Sequence, residues 1–277
     1  MARSDISTPL GRVIYGQVIS EGLVVVAGPN KSRELRQVLQ RLADLGASLI
    51  LVDGALNRIA PMVETTVIIL ATGAAKETNI EKLVLETNSI NKIFSLPRMN
   101  LKHSLENTII LNEDLSAVLA EGPPSLLDKG TLRDLLASCP HGAGAVLVLP
   151  GIISLNCMEE LLPYVNIKLS SIIFRDPVKV MVTDDVVLVA NFIDQVEAKG
   201  GQVGYLCPLK LIAVTVNPFY PRYRYEHADY QPAYVDADHL RQVMAQALSV
   251  PVYDIFVQGV EGLAQQLNQI CSGACPF

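Results

Sequence analysis

Charge is scarce in this sequence. Lys, Arg, Asp and Glu make up 18 % of 277 residues, whereas half of the chain is hydrophobic. Long disordered tails need the opposite balance, so a folded chain with a sizeable core is expected. The net charge of −6 at pH 7 excludes a general affinity for DNA or RNA, whose phosphates it would repel. The first residues, "MARSDISTPLG", carry no apolar stretch behind their Arg and do not read as a secretory signal. Long hydrophobic runs are missing too: the best, "GAVLVLPGIISLNC", is short for a membrane span and is interrupted by Pro150 and Gly151. The five cysteines (139, 157, 207, 271 and 275) are scattered and odd in number, which suits a reducing compartment. The expectation is a soluble, cytoplasmic protein.

Motifs that carry chemistry are missing as well. "GLVVVAGPNKSRELR" (22–36) sets an apolar strand, a turn, Lys31-Ser32 and a helix in the order of a phosphate-binding loop. Such a loop needs Gly-x4-Gly-Lys-Ser/Thr, so that backbone N–H groups close on the phosphate. Val25 and Asn30 occupy the two glycine positions, and Pro29 has no N–H to donate. The stretch therefore reads as a strand-to-helix turn capped by Asn30 or Ser32. Gly-x-Gly-x-x-Gly after a strand, Gly-x-Ser-x-Gly and His-x-x-x-His are not found. The histidines (103, 141, 227 and 239) have no ligand spacing. Cys271 and Cys275 are spaced Cys-x3-Cys with no second pair, so no metal site is expected. Cys139 and His141 share one turn, but nothing orients the imidazole for nucleophilic catalysis. No catalytic residue is assigned.

Apolar runs of strand length do alternate with stretches of helical periodicity, which predicts an α/β fold of mostly parallel sheet covered by helices, in two Rossmann-like halves. The expected halves are residues 1–120 and 121–277, with a weak boundary across the more polar stretch 98–123. "RVIYGQVISEGLVVVAG" reads as a hairpin turning near Glu21-Gly22, "SLILV" as a strand, "KIF" (92–94) as a short strand and "VYDIFV" as the last strand. Ligands of parallel sheets bind beyond the carboxyl ends of the strands, so the polar tips there are the candidate ligand residues: Asp53, Gly54, Asn57, Arg58, Thr72, Gly73, Arg175, Asp176 and Asn217. Each is also explained as a turn or a helix cap. The stretch 218–234, "PFYPRYRYEHADYQPAY", holds six of the chain's 15 aromatics. It reads as a long loop, and Tyr220, Arg222, Tyr223, Arg224, Tyr225, Tyr230 and Tyr234 are its candidate partner contacts, because Tyr and Arg are enriched at interaction hot spots.

Taken together, "STPLGRVI…LVVVAGP", "LILVDGALNRIAP", "VIILATGAA", "IIFRDPVKV", "LIAVTVNPFYP" and "VPVYDI" resemble the smaller subunit of the reactivation factor found with lysine 5,6-aminomutase, across residues 8–257. The resemblance implies a non-catalytic accessory subunit that helps a cobalamin-dependent aminomutase exchange damaged cofactor. Its implied partners are a larger MutS-like ATPase subunit and the aminomutase itself. ATP and adenosylcobalamin are then implied only through those partners. The family carries a Gly-rich, Lys-containing segment ahead of the "TPLG" region, and none precedes Thr8 here; the expectation is either a shortened fragment or a variant without nucleotide binding. Asn57 stands where the family pattern has an acidic residue, which weakens a metal role for that stretch. The first half also resembles, more faintly, dethiobiotin synthetase-like proteins. That likeness implies the alternative, an ATP-dependent ligase or kinase-like enzyme in which Asp53 orients Mg²⁺-bound water.

Overall fold

The computed structural model describes residues 2–29, 31–54, 60–101, 106–142, 144–182 and 185–273. They form two compact units, Met1–Thr66 and Val67–Phe277. The expected boundary near residue 120 falls within a strand of the second unit.

In the first unit, strands β1 (Ala2–Thr8) and β2 (Gly11–Tyr15) pair antiparallel. Gly11 takes φ 115° in the turn, which a residue with a Cβ would resist. Helix α1 (Ser32–Asp44) ends at Gly46, whose φ of 90° is that of a glycine past a helix C-terminus. Ile6 and Leu35 are buried, and Arg36 forks onto both carboxylate oxygens of Glu64 at 2.7 and 2.9 Å. The expected hairpin is displaced toward the N-terminus: it turns between Thr8 and Gly11, not at Glu21-Gly22. Residues 22–28 and 49–53 form no strand. Val24, Val25, Val26 and Leu51 are exposed. An apolar run becomes a strand only where a neighbouring strand pairs with it, and neither segment has one.

The second unit is a mixed α/β structure. Its elements are β3 (Val67–Gly73), α2 (Ile80–Ser95), β4 (Thr108–Leu111), β5 (Val118–Gly122), α3 (Lys129–Ala137), β6 (Ala145–Leu149), α4 (Leu155–Leu161), β7 (Leu169–Phe174), α5 (Pro177–Met181), α6 (Val186–Ala198), β8 (Gln202–Tyr205) and β9 (Lys210–Asn217). They continue through β10 (Phe219–Arg224), β11 (Asp229–Tyr234), α7 (Ala237–Ala247), β12 (Val252–Tyr253), α8 (Ile255–Gln258) and α9 (Glu261–Gly273). Each helix from α2 to α8 starts on an Asn, Asp or Ser whose side chain accepts a backbone N–H of the first turn. The residues expected as a strand at 92–94 instead finish α2, and Asp254 turns the expected last strand into α8 after two paired residues.

Two main sheets result. One is parallel throughout, in the order β12-β9-β3, with β9 at its centre. The other runs β5-β4-β6-β7-β8, antiparallel around β4 and parallel from β6 to β8. Period two sorts the residues of this second sheet. Ile110, Leu147, Leu149, Ile172, Phe174 and Tyr205 join the larger core with residues of α3, α4 and α6. Ile109, Leu111, Val146, Val148 and Ile173 face the other way, under Met99, Leu101, Leu115 and Leu206. The whole five-stranded sheet lies in sequence between β3 and β9.

At the carboxyl end of that pair, Gly73 lies opposite Asn217. A Cβ on Gly73 would fall 2.2 Å from the Asn217 carbonyl oxygen and 2.9 Å from its nitrogen, and both are backbone atoms that must shift together. Gly73→Ala is expected to destabilise the fold by about 1–3 kcal/mol, as overpacking does, read as a lower urea midpoint with an unchanged slope.

Candidate functional site

The residues expected at strand ends are dispersed over three backbones. Asp53 and Gly54 are exposed in irregular chain of the first unit; Asn57 and Arg58 lie outside the described residues. Thr72, Gly73 and Asn217 meet at the carboxyl end of the parallel sheet, where the Ala74 N–H donates to the Asn217 carbonyl at 2.9 Å. Arg175 and Asp176 follow β7 in the other sheet. The strand-tip reading holds for Thr72, Gly73, Arg175, Asp176 and Asn217 and is corrected for Asp53 and Gly54, because 49–53 has no pairing strand; sequence spacing did not show which sheet each strand would join.

Asp176 is buried, 4 % exposed, and caps α5 by accepting the Lys179 N–H at 3.0 Å. Burial pushes its carboxyl up, outweighing that hydrogen bond and the charges of Lys179 and Arg175. The Tyr205 hydroxyl is wholly buried and has no hydrogen-bond partner among the described residues. Burial, with the Asp176 charge adding to it, pushes that phenol far up, so it stays neutral. The Cys139–His141 turn fares no better as a nucleophile pair: Cys139 is buried and desolvation raises its thiol, which disfavours the reactive thiolate.

The stretch 218–234 is a hairpin, not an unpatterned loop. β10 and β11 pair over six residues, from Phe219 opposite Tyr234 to Arg224 opposite Asp229. Pro221 lies opposite Pro232; neither has an N–H, so theirs is a non-hydrogen-bonded pair, the kind that brings side chains closest. Phe219–Tyr234 and Tyr223–Tyr230 share that parity, and their rings meet edge-on at 5.7 and 5.1 Å. Tyr225 adds a further edge contact to Tyr223 at 5.0 Å. One face of the hairpin is thus an aromatic and proline ladder. The other carries Tyr220, Arg222, Gln231, Ala233 and the Arg224–Asp229 ion pair.

Burial is the reverse of what a folded core would choose. Tyr225 is 89 % exposed, Tyr230 and Tyr234 are each 67 % exposed, and Pro221, Tyr223 and Pro232 are exposed too. Most of the polar face is half-buried instead. The hairpin is tied to the parallel sheet at its base: Asn217 Oδ1 accepts the Phe219 N–H at 2.9 Å, and the Val235 N–H donates to the Pro218 carbonyl at 3.0 Å. Thr72, Gly73 and Asn217 therefore support the hairpin. Pro221 and Pro232 were missed as members of this surface; their equal offset from the flanking aromatics is the signal that would have found them. Among the described residues no group of three or more His, Cys, Asp or Glu side chains is placed to hold a metal ion, and no helix is long and apolar enough to cross a membrane.

The raised carboxyl of Asp176 has a pH signature. An acid that keeps its proton in the folded state after the unfolded chain has lost it stabilises the fold at low pH, and that contribution disappears as pH rises through the folded value. Asp176→Asn keeps an oxygen for the cap but cannot ionise. Its stability relative to the native chain is expected to increase in urea melts as pH rises above the ordinary carboxyl value of 3.8, and to level off once pH has passed the folded value; parallel curves would show that Asp176 ionises as easily folded as unfolded. No family model, curated protein or solved structure matches this chain.

Proposed function

We propose that this chain is a non-catalytic binding subunit whose contact surface is the aromatic face of the β10–β11 hairpin. The observation that carries the reading is the inverted burial of that hairpin. Its Tyr and Pro face is turned to solvent on a backbone held by cross-strand pairs, and apolar surface kept exposed and rigid in this way is a mark of interaction sites. Rigidity matters here, because Tyr rings already locked by edge contacts lose little further freedom on binding.

Together with the resemblance of the sequence, this favours an accessory role in reactivating a cobalamin-dependent amino acid aminomutase, beside a separate MutS-like ATPase. ATP and adenosylcobalamin would act on those partners. The run β6, α4, β7, α5–α6, β8 is the part of the fold closest to the Rossmann-like half expected in such a subunit. The ligase or kinase alternative needs a phosphate-binding loop, which "AGPNKSR" does not supply.

The test is reconstitution. The chain is added to aminomutase carrying inactive cobalamin, with the ATPase subunit, ATP and fresh adenosylcobalamin, and return of activity is followed. Activity is expected to return only with all components present. Tyr223→Ser with Tyr230→Ser should weaken capture of the partner tenfold or more, while leaving the melting temperature near that of the native chain. Full reactivation by the doubly substituted chain would remove the hairpin from the reading, and ATP turnover by the chain alone would replace the reading with an enzyme.

A further inference from the structure

In the first unit, β1, β2 and α1 border an open groove of about 790 Å³. Four of its lining residues are cations: Arg3 on β1, then Lys31, Arg33 and Arg41 before and along α1. Arg33, Gln37 and Arg41 follow each other at steps of four, so they line one face of the helix over about 12 Å. The groove also holds the hydroxyls of Ser4, Ser7 and Tyr15. Two acids line it, Asp5 and Glu34, and Glu34 is 3.3 Å from Lys31 Nζ. Arg3, Arg33 and Arg41 have no ion pair among the described residues.

A concentration of cations is unexpected in this chain. The whole sequence has 28 acids against 22 Lys and Arg, yet residues 1–66 hold seven of those bases and only six of the acids. Holding four cations around one groove costs repulsion that its two acids, Asp5 and Glu34, offset only in part. An anion would offset it, and guanidinium forks match phosphate oxygens.

We propose that this groove binds an oligophosphate: a chain of linked phosphates laid along Lys31, Arg33 and Arg41, with Arg3 on the opposite side. Side chains hold it, in contrast to a phosphate loop, where backbone N–H groups of a Gly-rich turn do so. The proposal involves the first unit alone and is independent of the hairpin reading.

Calorimetric titration of the full chain with sodium tripolyphosphate at low salt tests it. Saturable binding is expected that weakens with added salt, since the cations are exposed. Arg33→Gln with Arg41→Gln should lower affinity tenfold or more, and Arg222→Gln in the second unit should leave it unchanged. Glu34→Gln, which removes a negative charge and releases Lys31, should tighten binding; a merely structural role for these residues would not produce opposite responses. ATP binding as tightly as tripolyphosphate assigns the site to the phosphate chain alone, and tighter binding of ATP assigns it to a nucleotide. The proposal is overturned by no heat from the native chain, by equal affinity in the Arg33/Arg41 variant, or by citrate binding more tightly than tripolyphosphate.

Discussion

Helix α2 is the element on which the second unit depends. Its last turns contribute Ile93, which together with Leu96 just beyond the helix enters the core of the five-stranded sheet. It packs on α6 by one side and on β9 and α7 by another. The polar side chains that this position buries are satisfied at short range: Thr87 donates to the Leu83 carbonyl at 2.7 Å, Ser89 to the Leu85 carbonyl at 2.9 Å, and Asn91 accepts from Ser249 at 3.2 Å. Lys92 reaches Asp194 and Glu197 on α6. A helix buried on so many sides must supply partners for its polar groups: Thr87 and Ser89 find theirs within the helix, and Glu86, Asn91 and Lys92 find theirs on Lys76, Ser249 and α6.

The topology explains why α2 carries that burden. β3 and β9 are neighbours in the parallel sheet but are separated in sequence by the entire five-stranded sheet. Their pairing closes a long loop, which is entropically unfavourable until the intervening structure has formed. α2 follows β3 directly and packs on α6, inside that excursion, and on β9, where it ends. Gly73 and Asn217, at the point of closure, approach more closely than any side chain at Gly73 would permit. The aromatic hairpin grows from this same point.

The two proposed contact surfaces lie where local rules are broken. The hairpin turns its Tyr and Pro face outward, and the groove of the first unit gathers cations in an acidic chain. Both arrangements are unfavourable to the isolated molecule, and the proposed partner and anion would relieve them. The strand tips proposed from sequence have quieter roles: Asn217 and Asp176 hold helix and hairpin starts, as capping residues do.

By itself the sequence determined the α/β class, most helices of the second unit and its buried strands, because 3.6-residue periodicity, Asn/Asp/Ser caps and apolar runs are local signals. Tyr and Arg at 219–234 were legible as well, as residue types without a place, whereas the cations at 33–41 gave no signal until the structure set them around one groove. Only the tertiary structure decided which strands share a sheet, that 22–28 and 49–53 pair with nothing, and which face of 219–234 meets solvent. Pairing and exposure are set by residues far apart in the chain, and no local pattern records them.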